Sequence, residues 1–243
     1  EQRLHAMHLA AAPAGTLDAL DRVSSDLHRL ADTARSVLAS FKGIPEAPVA
    51  PDTASFLRPY QRTGANFLAW TCQTFGGAVL ADDMGLGKTL QVLAALTALR
   101  TGAGEALPTL VICPASVAHN WQREAARFAP SLRVTVLESG KERQELLTRL
   151  GDFDLVVINY ALVRRDIKML ARQAWMAVVV DEAQAIKNPC TAISRGVKVL
   201  EARYRIALTG TPIENRILDL WSIVDFALPG YLSHLDPVQA NST

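Results

Sequence analysis

Two short stretches of this 243-residue sequence carry residue types suited to chemistry on phosphates. The first is Gly85-Leu86-Gly87-Lys88-Thr89, which follows a short apolar run and opens a helical pattern. Glycines at a strand-to-helix turn let backbone N–H groups approach phosphate oxygens, and the helix N-terminus adds partial positive charge. In such a loop Lys88 can reach the β- and γ-phosphates, and the Thr89 hydroxyl can ligate Mg²⁺. The general pattern Gly-x4-Gly-Lys-Ser/Thr asks for glycine at position 82, where this chain has Asp82. The competing reading is a glycine-rich turn that opens a core helix. The second stretch is Asp181-Glu182, directly after the apolar run Ala177–Val180. A buried strand that ends in two carboxylates presents them at the ligand edge of a sheet. Phosphoryl transfer to water needs one carboxylate on the metal and a group that orients or deprotonates water, roles that suit Asp181 and Glu182 in turn. Taken alone, the pair also suits a solvated acidic turn.

Other residues invite weaker readings. Val117, Trp121, Ala125 and Phe128 share one helix face, so Trp121 reads as core packing. Asn120, Arg123 and Arg127 fall on the opposite, solvated side. Ser116 stands where it can cap that helix. Arg164, Arg165 and Lys168 form a small basic cluster. The histidines have no ligand partners nearby in sequence, and no Gly-x-Ser-x-Gly nucleophile context occurs.

Elements must bring these stretches together. Short apolar runs at Ala78–Ala81, Thr109–Cys113, Arg133–Leu137, Leu155–Asn159, Ala177–Val180 and Arg205–Leu208 predict strands buried on both faces. Helical patterns at Leu90–Arg100, Val117–Phe128, Glu142–Leu150, Leu162–Ala171, Thr191–Glu201 and Asn215–Leu228 alternate with them. The alternation predicts an α/β fold, a parallel sheet between two helical layers with right-handed crossovers. Ahead of it, Thr16–Phe41 has helical spacing, and the proline-rich stretch Gly43–Ala54 predicts an extended linker. The expected organisation is a helical extension over 1–42, a linker over 43–54, a nucleotide-type lobe over 55–232 and a tail over 233–243. Twenty-five Lys and Arg against 24 Asp and Glu neither demand nor forbid nucleic acid. Three cysteines without Cys-x-x-Cys spacing argue against a disulfide framework or zinc site. No apolar stretch is long enough for a membrane span, and the missing initial Met suggests a piece of a longer protein.

The motifs taken together resemble the first RecA-like lobe of the SWI/SNF-type ATPases of helicase superfamily two, over roughly Phe56 to Gly230. Five occur in that family's order: FLRPYQRTGANFLAW, ADDMGLGKT, LVICPASVAHNWQREAARF, VVVDEAQAIKN and ALTGTPIEN. Asp82 is then the family's own variant, while Gln184 stands where the family more often shows His. The resemblance implies a P-loop fold that binds ATP and Mg²⁺. It implies that Gln61 reads the adenine edge, and that Asp83, Gly85, Leu86, Gly87, Lys88 and Thr89 hold the phosphates. Thr89 and Asp181 would hold Mg²⁺, and Glu182 would activate water. Gln184 would couple that site to Thr209, Gly210 and Thr211, which answer to the γ-phosphate. It further implies backbone contacts to double-stranded DNA from Ser116, Asn120, Asn159, Tyr160 and Arg164. Tyr60 suits packing equally well. The implied activity is DNA-dependent ATP hydrolysis driving translocation on duplex DNA. A second RecA-like lobe outside this sequence would supply an arginine finger, so these residues alone are expected to turn ATP over slowly. A remodeller acting chiefly on a protein partner such as RNA polymerase or a chromatin protein, and a nucleotide-binding module without turnover, are the competing functions. The implied compartment is the bacterial cytoplasm and nucleoid, or the nucleus in a eukaryote.

Overall fold

Apolar runs such as Leu-Val-Ile-Cys and Leu-Val-Val-Ile can be stable as strands only when both faces are covered, which favours parallel pairing under helices. In the computed structural model, which describes residues 41–101, 107–210 and 217–232, six such strands form one sheet. They are β1 (Gly77–Leu80), β2 (Thr109–Cys113), β3 (Val134–Leu137), β4 (Leu155–Asn159), β5 (Trp175–Val180) and β6 (Ala202–Leu208). Their spatial order is β1-β6-β5-β2-β4-β3, and every pairing is parallel. The register sets Leu80 beside Leu208, Val180 beside Ala207, Ile112 beside Val180, and Cys113 beside Asn159. The residues that follow β1, β6, β5, β2 and β4 therefore line one edge of the sheet, in that order.

Helices cover both faces, giving the expected three layers. On one side lie α1 (Pro59–Phe75), α2 (Lys88–Thr101) and α3 (Ala118–Phe128). On the other lie α4 (Glu142–Thr148), α5 (Tyr160–Leu170), α6 (Ala192–Lys198) and α7 (Ile217–Ala227). Alternate strand residues feed the two cores: Val111, Val157 and Val179 enter the first, and Leu110, Val156 and Val178 the second. Helix α2 is buried from Leu90 to Leu99, so it shows no polar face. The strands run close to their predicted limits, but α1 is an addition to the sequence reading. Pro59 supplies a preset φ at its first turn, and Gly76, at φ 84°, closes it in the left-handed conformation. Its buried residues Gln61, Ala65, Leu68, Ala69 and Cys72 make a stripe that the mixed polar composition disguises.

Residues 43–50 have no regular secondary structure, and Pro51–Ala54 then forms one helical turn with Pro51 at its start. The segment is laid on the lobe. Ala47 N donates to Asn66 Oδ1 at 3.0 Å, Ala50 N to Thr97 Oγ1 at 3.4 Å, and Thr53 is buried. At the opposite edge of the sheet from the phosphate motifs, Asp154 accepts from Arg133 N at 2.9 Å, from Arg133 Nε at 3.0 Å and from Arg100. All three cysteines are free; Cys72 and Cys113 are buried, and Cys190 is exposed ahead of α6. The predicted helix Thr16–Phe41, except for its last residue, the stretch 211–216 with Thr211, and the tail from Ser233 lie outside the described residues.

Candidate nucleotide site and nucleic-acid face

The loop from Ala81 to Gly87 joins the end of β1 to the first turn of α2. Gly85 and Gly87 have φ of 84° and 73°, a backbone that L side chains rarely adopt. The Lys88 ammonium folds over this loop, donating to the carbonyl oxygens of Asp82 at 2.8 Å and Asp83 at 3.1 Å. Met84 stands 71% exposed at the tip. Gln61 is buried with both ends of its amide engaged. Nε2 donates to Leu86 O at 3.2 Å, and Oε1 accepts from Arg58 N at 3.0 Å, capping α1. A β-carbon on Gly87 would come within 2.5 Å of Gln61 Nε2, so the loop and α1 meet with no room for a side chain.

A residue that the sequence reading missed completes the support. Gln91 is fully buried and donates from Nε2 to Asp82 Oδ2 at 2.9 Å and to Leu86 O at 3.4 Å. Asp82, the departure from the general loop pattern, thus finds its partner one turn into α2. Gly210, after β6, lies against the same loop. A β-carbon there would sit 3.1 Å from Met84 Cγ and 3.8 Å from Lys88 Nζ.

Asp181 and Glu182 follow β5, two strands from β1, where the sequence placed them. Asp181 N donates to Ile112 O at 2.8 Å, extending the ladder with β2 by one residue. Its carboxylate accepts from Trp121 Nε1 at 2.9 Å and from Glu182 N at 2.9 Å. Burial pushes the Asp181 carboxyl above its ordinary pKa; the Trp121 hydrogen bond opposes that rise and the neighbouring Glu182 charge adds to it. Glu182 has φ 51°, the left-handed region, alone in this among the described non-glycine residues. Gln184 Nε2 donates to Glu182 Oε2 at 2.8 Å, and its Oε1 accepts from Thr209 Oγ1 at 3.4 Å. The side-chain chain Glu182–Gln184–Thr209 therefore spans from β5 to β6. Lys88 is close enough to Asp181 for its charge to oppose slightly the rise of that carboxyl's pKa. A glycine cradle at a helix N-terminus, a lysine, a threonine hydroxyl and a carboxylate make an oxygen-rich donor set of the kind that holds a nucleotide phosphate with Mg²⁺.

The residues expected at a nucleic-acid face lie farther along the same edge. Ser116 is exposed on a 3-10 turn, Ala115–Val117, between β2 and α3. It does not cap α3: the extra turn shifts the cap position to Val117, and no side chain caps the helix. Asn120 spends its amide on the helix surface, donating to Glu124 at 2.8 Å and accepting from Arg123 at 2.8 Å. Asn159 is the N-cap of α5, its Oδ1 accepting from Leu162 N at 3.1 Å. Arg164, Arg165 and Lys168 are exposed along α5. Tyr160 turns inward, away from that surface. Its hydroxyl donates to Asp181 O at 2.5 Å and lies 3.4 Å from Glu182 O. Trp121 is 1% exposed, as its stripe predicts, but its indole N–H on Asp181 was not legible in the spacing.

Residues 60–241 match the SNF2-related domain. The chain is 41% identical over 201 residues to YwqA of Bacillus subtilis, named for ATP-dependent helicase or translocase activity, covering 82% of this chain and 22% of that protein. It is 38% identical over 188 residues to the TATA-binding protein-associated factor MOT1 of Saccharomyces cerevisiae, covering 72% of this chain and 10% of MOT1. The SWI2/SNF2 ATPase core of Sulfolobus solfataricus, solved in complex with double-stranded DNA, superposes with a TM-score of 0.71 at 42% identity, over 83% of this chain and 41% of that one. The chain thus spans between 10% and 22% of the length of these two curated relatives.

Proposed function

The chain belongs to the SNF2-related family, and from that premise we propose that it is the first ATP-binding lobe of a DNA-dependent ATPase that translocates on duplex DNA and remodels protein–DNA complexes. The observation that carries the reading is the convergence, on one edge of the sheet, of the Lys88 loop, the Asp181-Glu182 turn and Gly210. In this reading Asp83, Gly85, Leu86 and Gly87 form the cradle, and the main-chain N–H groups of its glycines face the phosphates. Lys88 exchanges the carbonyls of Asp82 and Asp83 for phosphate oxygens. Gln61 acts on the loop's shape through Leu86, since both ends of its amide are engaged. Thr89 and Asp181 hold Mg²⁺, which when bound offsets charge on the phosphate oxygens. Glu182 orients the attacking water and takes its proton. Gln184 links Glu182 to Thr209, so the water site and the residues at Gly210 respond together; Thr211, next in the sequence, would share in that response.

Ser116 and the α5 cluster of Arg164, Arg165 and Lys168 are the backbone-contacting groups, with Asn120 and Asn159 shaping the corners that present them. Contacts of this kind position a duplex without reading its sequence. The solved relative bound to double-stranded DNA supports that partner, and MOT1, whose name ties it to the TATA-binding protein, supports a protein target beside the DNA. A second RecA-like lobe would close the cleft and supply the finger. No helix among the described residues is long and apolar enough to cross a membrane.

Calorimetric titration of ATP–Mg²⁺ into the chain and into Lys88→Ala tests the site. Losing a charge-assisted contact worth about 1.5–3 kcal/mol should weaken binding roughly 10- to 100-fold, with the melting transition retained. Equal affinity in the two proteins would remove the phosphate-loop assignment.

A further inference from the structure

The acidic turn after β5 is held by two aromatic rings, one from the strand-to-helix corner after the neighbouring β2 and one from the corner after β4, the next strand along. Trp121 comes from α3, which begins immediately after the corner turn Ala115–Val117, and its Nε1 donates to Asp181 Oδ2 at 2.9 Å. Tyr160 comes from the first position of α5, beside the cap residue Asn159, and its hydroxyl donates to Asp181 O at 2.5 Å. A buried indole or phenol needs some acceptor, and packing alone would explain one such bond. It does not explain why rings from two separate corners converge on the same residue, one on its carboxylate and one on its carbonyl. The residue between them in function, Glu182, has a strained backbone at φ 51°. Such conformations persist only where the surroundings over-determine them. Trp121 is locked in the close-packed first core, so displacement of α3 carries its N–H along.

We propose that Trp121 and Tyr160 are positioning residues that couple duplex binding at the two corners to nucleotide–Mg²⁺ binding at Asp181. The inference rests on the function proposed above, because it assigns DNA to the corners and Mg²⁺ to Asp181. DNA that shifts either corner moves the carboxylate or the carbonyl of Asp181, and nucleotide bound there biases the corners in return. Coupling of this kind is reciprocal and appears as a ratio of affinities. It is distinct from the Gln184–Thr209 link, which runs to β6 and away from both corners.

The test is the affinity of a fluorescent duplex for the chain by anisotropy, with and without saturating Mg²⁺ and a non-hydrolysable ATP analogue. The ratio of the two dissociation constants should differ from one by about fivefold or more in the natural protein. Tyr160→Phe removes one oxygen atom, and Trp121→Phe removes the indole N–H. Each should bring the ratio to within about twofold of one, the direction expected when a coupling element is cut. A variant that merely loosens the fold weakens both affinities and leaves their ratio intact. Asp154→Asn, which loosens the opposite edge of the sheet and touches neither site, should behave in that way and serves as the control. Should Trp121→Phe fail to fold, Tyr160→Phe carries the test. An unchanged ratio in the variants overturns the inference, as does a natural protein that binds both ligands with a ratio of one. A natural protein that binds neither ligand would instead remove the function on which the inference rests.

Discussion

A β-carbon on Gly64 would fall 1.7 Å from Gln91 Oε1, far inside contact distance. Gly64 is therefore the space into which the Gln91 amide fits, and that amide holds Asp82 and Leu86 of the phosphate loop. Gly64→Ala is expected to displace Gln91, costing about 1–3 kcal/mol of stability by overpacking and weakening ATP–Mg²⁺ binding several-fold. Adding Gln91→Ala should recover the melting temperature but not the affinity, because space returns while the loop support does not. Thermal melts and calorimetry on the single and double variants check both halves; recovery of affinity along with stability would show that Gln91 only fills volume. The positions of Lys88, Asp181 and Glu182 at strand ends were legible in the sequence because each directly follows an apolar run or opens a helical pattern. Gln91 read as an ordinary position in an apolar helix, and the bond from Trp121 to Asp181 joins residues 60 apart, a pairing that only the strand order creates.

The strands were legible for a similar reason: continuous apolar runs have few other stable forms. Helix α1 was not, since its buried stripe includes Gln61 and its sequence holds Gly64 and several threonines. Nor did spacing disclose the 3-10 turn that takes the cap of α3 from Ser116. At this scale the Asp154 cluster makes a test that leaves the chemistry alone. Burial alone would raise the Asp154 carboxyl, but hydrogen bonds and charge from Arg133 and Arg100 outweigh it and hold its pKa below the ordinary value. A carboxylate lowered on folding contributes stability that is present above its unfolded pKa and lost as pH falls through its folded one. Asp154→Asn should cost about 1–3 kcal/mol near neutral pH. The natural and variant proteins should converge in stability below about pH 4, the ordinary carboxylate range. Urea unfolding at pH 7 and pH 3 measures both; a constant difference would mean that the cluster acts through packing and not through charge.

Across the whole molecule, the proposed chemistry occupies one rim while the Asp154 anchor occupies the other. A near-neutral chain, with 25 basic and 24 acidic residues, can bind DNA only through local charge such as the α5 cluster. Its duplex affinity should fall steeply with salt and vary little between unrelated sequences. Anisotropy at two salt concentrations with several duplexes checks this, and a marked preference for one sequence would contradict it. The distribution of cysteines has a practical consequence of its own. Cys72 and Cys113 are sealed in the interior, the latter with its thiol pushed up to about 12 by burial and the Asp181 charge. Cys190 stands exposed between the acidic turn and α6. A maleimide dye added to this chain should therefore attach at Cys190, which lies within ten residues of the carboxylates in sequence. Without any engineered mutation, this chain accepts an optical reporter close in sequence to the carboxylates proposed to act on the nucleotide.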